Sequence, residues 1–116
     1  MRFAAIAAGL CLAGSAPVLA ANTKENYYVT AGAIQSMCGD ETTPMVNVFA
    51  SAIVDTHRTY VEAGRIPKKI CSPNTVSADE LTATVCSFIK DHPEMASHSG
   101  AQVAIIAMVT KWPCSK

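Results

Sequence analysis

Neither sign of charge dominates this chain: nine Lys and Arg residues stand against nine Asp and Glu, dispersed rather than gathered into blocks. Such a chain has no electrostatic footprint for nucleic acid or for an anionic membrane surface. Its longest apolar stretch, Ala4 to Val18, is interrupted by Gly14, Ser15 and Pro17. It therefore falls short of the roughly 20 continuous apolar residues that a transmembrane helix needs. There is no glycine-rich phosphate loop and no strand-to-helix nucleophile turn, so the common nucleotide-binding and hydrolase signatures are missing. No internal repeat or low-complexity tract occurs. No segment combines β-branched alternation with hairpin turn residues, so nothing points to a sheet.

What is present begins with an export signal. Arg2 supplies one positive charge, the apolar stretch follows, and Val18-Leu19-Ala20 places small or β-branched residues at −3 and −1 of a cut before Ala21. That is the three-part layout of a cleaved secretory signal peptide. Cys11 follows Leu10 and sits too early for a lipoprotein signal. The expected division is a signal peptide over 1–20 and a single domain over 21–116, periplasmic and without a membrane anchor after cleavage. The mature chain then carries a net charge of about −1 and is about 45 per cent hydrophobic, a globular average. Its cysteines number four, Cys38, Cys71, Cys86 and Cys114. An even number in a small exported chain points to a disulfide framework.

From Thr30 onward the chain punctuates itself into helices. Thr30 caps a short one expected over about Ala31 to Cys38, with Gly39 placed to turn left-handed after it. Thr43 and Pro44 read as the cap and first-turn proline of the longest helix, which Gly64 stops. Its expected buried stripe is Met45, Phe49, Ala52, Ile53, Thr56 and Tyr60. Arg65 to Thr75 carries two prolines and three basic residues and reads as a loop. Ser77 and Glu80 form a capping box for the next helix, with Val76 stapling against Leu81. Leu81, Val85, Phe88 and Ile89 form its stripe, and His92-Pro93 ends it. The last helix starts near Ser99, where Gln102 offers a second capping box. Val103 to Val109 has no polar face and could be a central strand, but its flanking caps and alanines favour a helix buried on most sides. The economical fold class is all-α, a small bundle of about four helices stapled by two disulfides.

Four cysteines allow three connectivities. With the three main helices running up, down and up, Cys71 and Cys114 lie at one end of the bundle. Cys38 lies at the other, with Cys86 well down the descending helix toward it. Cys71–Cys114 and Cys38–Cys86 are therefore the geometrically cheap pairs. Closing the span from Cys71 to Cys114 stabilises by about 4 kcal/mol in the chain-entropy model, which matters for a domain of this size.

The ordered residues also carry a family resemblance. Thr30-Ala31-Gly32-x-Ile34-x-x-x-Cys38 is followed by Ile70-Cys71-Ser72-Pro73 and Val76-Ser77-x-x-x-Leu81. Phe88-Ile89-x-x-His92-Pro93-Glu94 and a terminal Trp112-Pro113-Cys114 come next. In this order and at these spacings they resemble the Rap/Tai family, immunity proteins of type VI secretion. The resemblance spans the mature chain and is densest from Cys71 to Cys114. It implies a small α-helical periplasmic protein that binds and blocks a peptidoglycan-cleaving amidase effector, and that tends to form homodimers. One departure stands out. The family has a second cysteine opening a Cys-x-x-Tyr-x-x-Gly stretch early in the long helix, where this chain reads Val46-Asn47-Val48-Phe49-Ala50-Ser51-Ala52. Cys86 is an additional cysteine, expected near Cys38, and a relocated partner for Cys38 accounts for both changes.

Enzymatic chemistry is disfavoured. A cysteine nucleophile must be free and paired with histidine, whereas four cysteines in an oxidising compartment favour bridges. His92, Glu94 and His98 straddle a proline turn and match no closed metal site, so neither a metal nor another cofactor is expected. His57 reads as a surface residue, Tyr27 and Tyr28 as packing for the N-terminal segment, and the apolar 103–109 stretch as core. Binding remains. Filling an amidase cleft calls for an ordered, protruding element, and two loops qualify. The preferred one, Gly64 to Thr75, is held by Cys71, stiffened by Pro67 and Pro73, and offers Arg65, Lys68 and Lys69. The other, 92–99, offers His92, Glu94 and His98. Two competing classes are a periplasmic acid-stress chaperone and an envelope protein without an amidase partner. The first draws on three histidines that raise the net charge toward about +2 near pH 5.

Overall fold

The structure, a computed structural model, describes residues 26–116, and the expected signal peptide lies outside them. Thr30 begins the first helix, α1 (Ala31–Ser36), by accepting a hydrogen bond on its side chain from the Ala33 N–H at 3.2 Å. The helix closes two residues earlier than the sequence indicates. Met37 and Cys38 N–H groups turn back to Ile34 and Gln35 carbonyls, and Gly39 then adopts φ 81°. Six residues do not hold a helix in water, so α1 depends on what surrounds it. The Ala31 and Gly32 N–H groups donate to the His98 and Ala96 carbonyls at 3.0 and 2.9 Å, and Ala31 and Ile34 are fully buried.

The second helix, α2 (Thr43–Glu62), has Thr42 rather than Thr43 at its N-cap, with Pro44 inside the first turn. The Asp40 carboxylate accepts from the Thr42 N–H and hydroxyl. Thr43 instead ties the preceding turn, accepting from the Gly39 and Asp40 N–H groups and donating to the Met37 carbonyl. Its buried face is Val46, Ala50, Val54 and His57, one residue along from the expected stripe. Phe49 and Ile53 sit half-buried at the edge, while Met45, Ala52, Thr56 and Tyr60 are exposed. One position turns a helix by about 100°. The helix is apolar on two adjacent faces, and tertiary packing selects between them.

After α2 the chain runs back along the helix. Ser72, Asn74 and Val76 line the same surface as Val54, Asp55 and Arg58. The third helix, α3 (Ala78–Asp91), consequently starts beside the second turn of α2 rather than at its far end. There the Asn47 side chain donates to Asp79 at 2.8 Å and accepts from the buried Thr82 hydroxyl. The Ser77–Glu80 capping box forms in both directions, and Val76 packs against the cluster containing Leu81. Leu81, Val85 and Ile89 are buried with Phe88 alongside, and His92 caps the end.

A 3₁₀ turn over Pro93–Met95 leads to the last helix, α4 (Gly100–Lys111). Its cap is half of a capping box: Ser99 accepts from the Gln102 N–H at 3.4 Å. Val103, Ala104, Ala107 and Met108 are buried, but Ile105 is 37% exposed and Ile106 and Val109 are half-buried. The apolar helix thus leaves one strip uncovered instead of being enclosed on most sides.

The described residues form an all-α bundle of four helices without a strand. Its core is drawn from all four, with Ile70 added from the loop. Two disulfides staple it, Cys38–Cys86 and Cys71–Cys114, with Cα separations of 5.9 and 5.0 Å. These are the pairs that the bundle topology favours. Although α3 starts lower on α2 than a simple hairpin would place it, Cys86 still descends to Cys38. No described helix is long and apolar enough to cross a membrane.

Among the described glycines the tightest packing is at Gly100, whose N–H donates to the Val29 carbonyl at 2.9 Å. A Cβ there would lie 2.6 Å from Ile34 Cδ1 and 3.1 Å from the Val29 carbonyl oxygen. Gly100→Ala should therefore destabilise the protein by about 1–3 kcal/mol, the cost of overpacking a filled site, despite alanine's better helix propensity. A urea denaturation midpoint equal to wild type would contradict this packing.

Candidate functional site

The Gly64–Thr75 loop is anchored on either side of an exposed stretch. Its first anchor is the end of α2. The Gly64 N–H donates to the Val61 carbonyl and the Arg65 N–H to the Tyr60 carbonyl, both at 2.9 Å, with Gly64 at φ 66°. This paired closure uses the left-handed conformation that glycine adopts without strain. Arg65, Ile66, Pro67, Lys68 and Lys69 are then all exposed. The second anchor follows at once. Ile70 is buried and bridges to Pro113, the Cys71 N–H donates to the Trp112 carbonyl at 2.9 Å, and Cys71 is bonded to Cys114.

His57 forms a third anchor, and it is not the surface residue that its polar neighbours in sequence indicate. It is 7% exposed, and its Nε2 accepts from the Lys69 N–H at 3.3 Å. Burial, with Arg58 and Lys68 as cationic neighbours, holds the imidazole below its ordinary pKa. A neutral ring with an unprotonated Nε2 is the form that can accept this bond. Sequence reasoning missed it because the bond comes from a backbone group twelve residues away, and the adjacent Arg58 masks a buried position.

The 92–99 loop is used differently. The His92 ring stacks on Phe88 with centroids 4.3 Å apart, and its Nδ1 lies 2.9 Å from the Glu94 carboxylate. This contact is the main reason the Glu94 pKa is lowered. The carbonyls of Ala96 and His98 are engaged by α1, so this backbone braces the first helix. The two candidate loops are not brought together, because α4, about 18 Å long, lies between them.

Catalytic groups do not converge among the described residues. All four described cysteines are in disulfides, leaving no thiol nucleophile there. Among the described residues no set of three His, Cys, Asp or Glu side chains is placed to hold a metal ion. Tyr28 is fully exposed and Tyr27 is 45% exposed, so they do not serve as the packing expected of them. With Val29, Phe49 and Ala101 they line a shallow depression. Met45 and Val48, beside Phe49 on α2, are also exposed. Sequence reasoning missed this apolar face because it had assigned Met45 and Phe49 to the core.

The family model for Rap1a immunity proteins matches residues 30–114, which takes in every helix and both disulfides. No curated protein and no solved structure matches the chain.

The lowered pKa of His57 fixes a direction for stability. The unfolded chain carries an ordinary histidine near 6.5, so on acidification the unfolded state is protonated first. The contribution of His57 is full above about pH 6.5 and is lost as pH falls toward its folded pKa. Stability by urea denaturation should decline between about pH 7 and pH 5 more steeply in wild type than in His57→Gln. A His57 ring resonance titrating at or above about 6.5 would contradict the assignment.

Proposed function

The chain belongs to the Rap1a immunity protein family, and on that premise we propose that it binds and blocks a peptidoglycan amidase delivered by a type VI secretion system. It acts in the periplasm once the signal peptide is removed, and protects the cell that makes it. The observation that carries the reading is the loop of five exposed residues, 65–69, fastened on both sides. Inhibition by occupancy needs an element that reaches into a cleft and loses little freedom on docking. Pro67 restricts the tip, His57 and Ile70 hold its return, and the Cys71–Cys114 bridge joins it to α4. Arg65, Lys68 and Lys69 are the polar contacts at the tip, and Ile66, 40% exposed, is its apolar one.

No reaction is required of the inhibitor in this reading. The cleft is closed to substrate while the complex lasts, and specificity comes from the shape and charge of the tip. The 92–99 loop, with His92, Glu94 and His98, supports the fold at the opposite end. A homodimer is part of the same reading, with the exposed apolar side chains of Met45, Val48, Tyr27 and Tyr28 available to cover one another.

The experiment pairs the mature protein with the type VI amidase of the producing cell and measures peptidoglycan hydrolysis and Kd. The wild type should inhibit. Joint reversal of Arg65, Lys68 and Lys69 to glutamate should weaken binding by at least about tenfold, or about 1.4 kcal/mol. A wild-type protein that neither binds nor inhibits the amidase contradicts the function. Full affinity in the triple variant contradicts the assignment of the loop.

A further inference from the structure

Beside the loop, between α2 and the returning segment, lies a groove of about 350 Å³ whose lining includes His57, Arg58, Lys68, Ile70, Ser72 and Asn74. Ile70 and the neutral His57 ring, both buried, give it an uncharged floor. Cations stand on its two walls, Arg58 from the helix and Lys68 from the loop. Arg58 has acidic residues at helical spacing on either side, Asp55 three residues before and Glu62 four after. It nevertheless pairs with neither, since the only ion pair among the described residues is His92–Glu94. Lys68 is unpaired on the same ground, and the Ser72 and Asn74 side chains make no hydrogen bond within the described residues. The groove therefore gathers donors whose capacity the fold leaves unused.

The wider charge distribution agrees. Arg58, Arg65, Lys68 and Lys69 gather at this end, with Lys111 just before the Trp112 carbonyl that engages Cys71. Two acids belong to this end as well, Glu62 in the groove lining and Asp55 on the adjoining surface, while Asp91 and Glu94 stand at the far end of α3 with Lys90. The charged residues lining the groove are Arg58, Lys68 and Glu62, two cations against one acid, so the lining carries a net single positive charge that one carboxylate neutralises.

We propose that this groove is a carboxylate-binding site, in which Arg58 and Lys68 receive an aspartate or glutamate side chain of the bound partner. Guanidinium and ammonium groups on opposing walls, with Ser72 and Asn74 as neutral donors, make a charge-assisted set that a glutamine side chain cannot satisfy equally. The site gives the partner a second point of attachment beside the loop tip. Its use by an amidase rests on the immunity reading, but its chemistry does not.

Two measurements keep the readings separate. In the first, the mature protein alone is titrated with N-acetyl-glutamate amide and followed by amide NMR. Saturable shifts are expected at Lys69, Ser72 and Asn74. They should be absent with the glutamine analogue, weakened about tenfold in Arg58→Gln, and unchanged in Lys90→Gln. Equal response to both ligands, no response, or full binding by Arg58→Gln would overturn the site. In the second, Arg58→Gln should lose about tenfold in affinity for the amidase while its denaturation midpoint stays at the wild-type value. Full affinity would overturn the groove's role in the complex. A wild-type protein that ignores the amidase but still discriminates glutamate from glutamine would contradict the proposed function and leave the site standing.

Discussion

The Cys71–Cys114 bridge is the constraint on which the loop end of this protein depends. The segment between Gly64 and Ser77 has no helix or strand of its own, and a connection of that length would otherwise sample many shapes. The bridge fixes its midpoint to the end of α4. Around it the Ile70–Pro113 pairing and the Cys71-to-Trp112 hydrogen bond close the same junction. With that point held, the chain has two fixed stretches. One is the exposed tip, 65–69, between the closure of α2 and the His57 contact. The other is the returning segment, which forms one wall of the groove and delivers Ser77 to the start of α3.

The opposite end is held by different means. There α1 is too short to persist alone, and it is retained by the carbonyls of the 92–99 loop, by burial of Ile34 under Gly100, and by Cys38–Cys86. The bridge position is informative. Where the resembled family pattern has its second cysteine, this chain has Val46, fully buried in the core, and Cys38 reaches α3 instead of α2. The Cys38–Cys86 staple joins the turn after α1 to α3, while the loop end has its own bridge. The two ends are fastened by separate bridges.

Much of this was legible in the sequence because the signals are local. Thr30, Ser77 with Glu80, and Ser99 mark helix starts through side chains that meet backbone groups only two or three residues away. His92-Pro93 marks a stop by steric exclusion. The disulfide pairing followed from helix order, which is coarse enough to survive the unforeseen return of the chain along α2. What was not legible depends on long-range choice. The apolar residues of α2 occupy two neighbouring faces, and nothing local says that Val46, Ala50 and Val54 turn inward while Met45 and Ala52 stay out. His57 is buried by a strap twelve residues away. The pairing of Arg58 with Lys68 across a groove also exists only once that strap is laid down. The loop itself could be found from its prolines and Cys71, but its three anchors could not.

The central claim is that the fastened loop and its neighbouring groove form the surface that meets the effector. Hydrogen–deuterium exchange of the mature protein, alone and saturated with the amidase it inhibits in the proposed reading, tests this directly. The account predicts new protection confined to 58–76, covering the tip and the groove, with the 92–99 segment unchanged. Protection centred on 92–99 or on the Tyr27–Tyr28 face, with 58–76 exchanging as in the free protein, would contradict it.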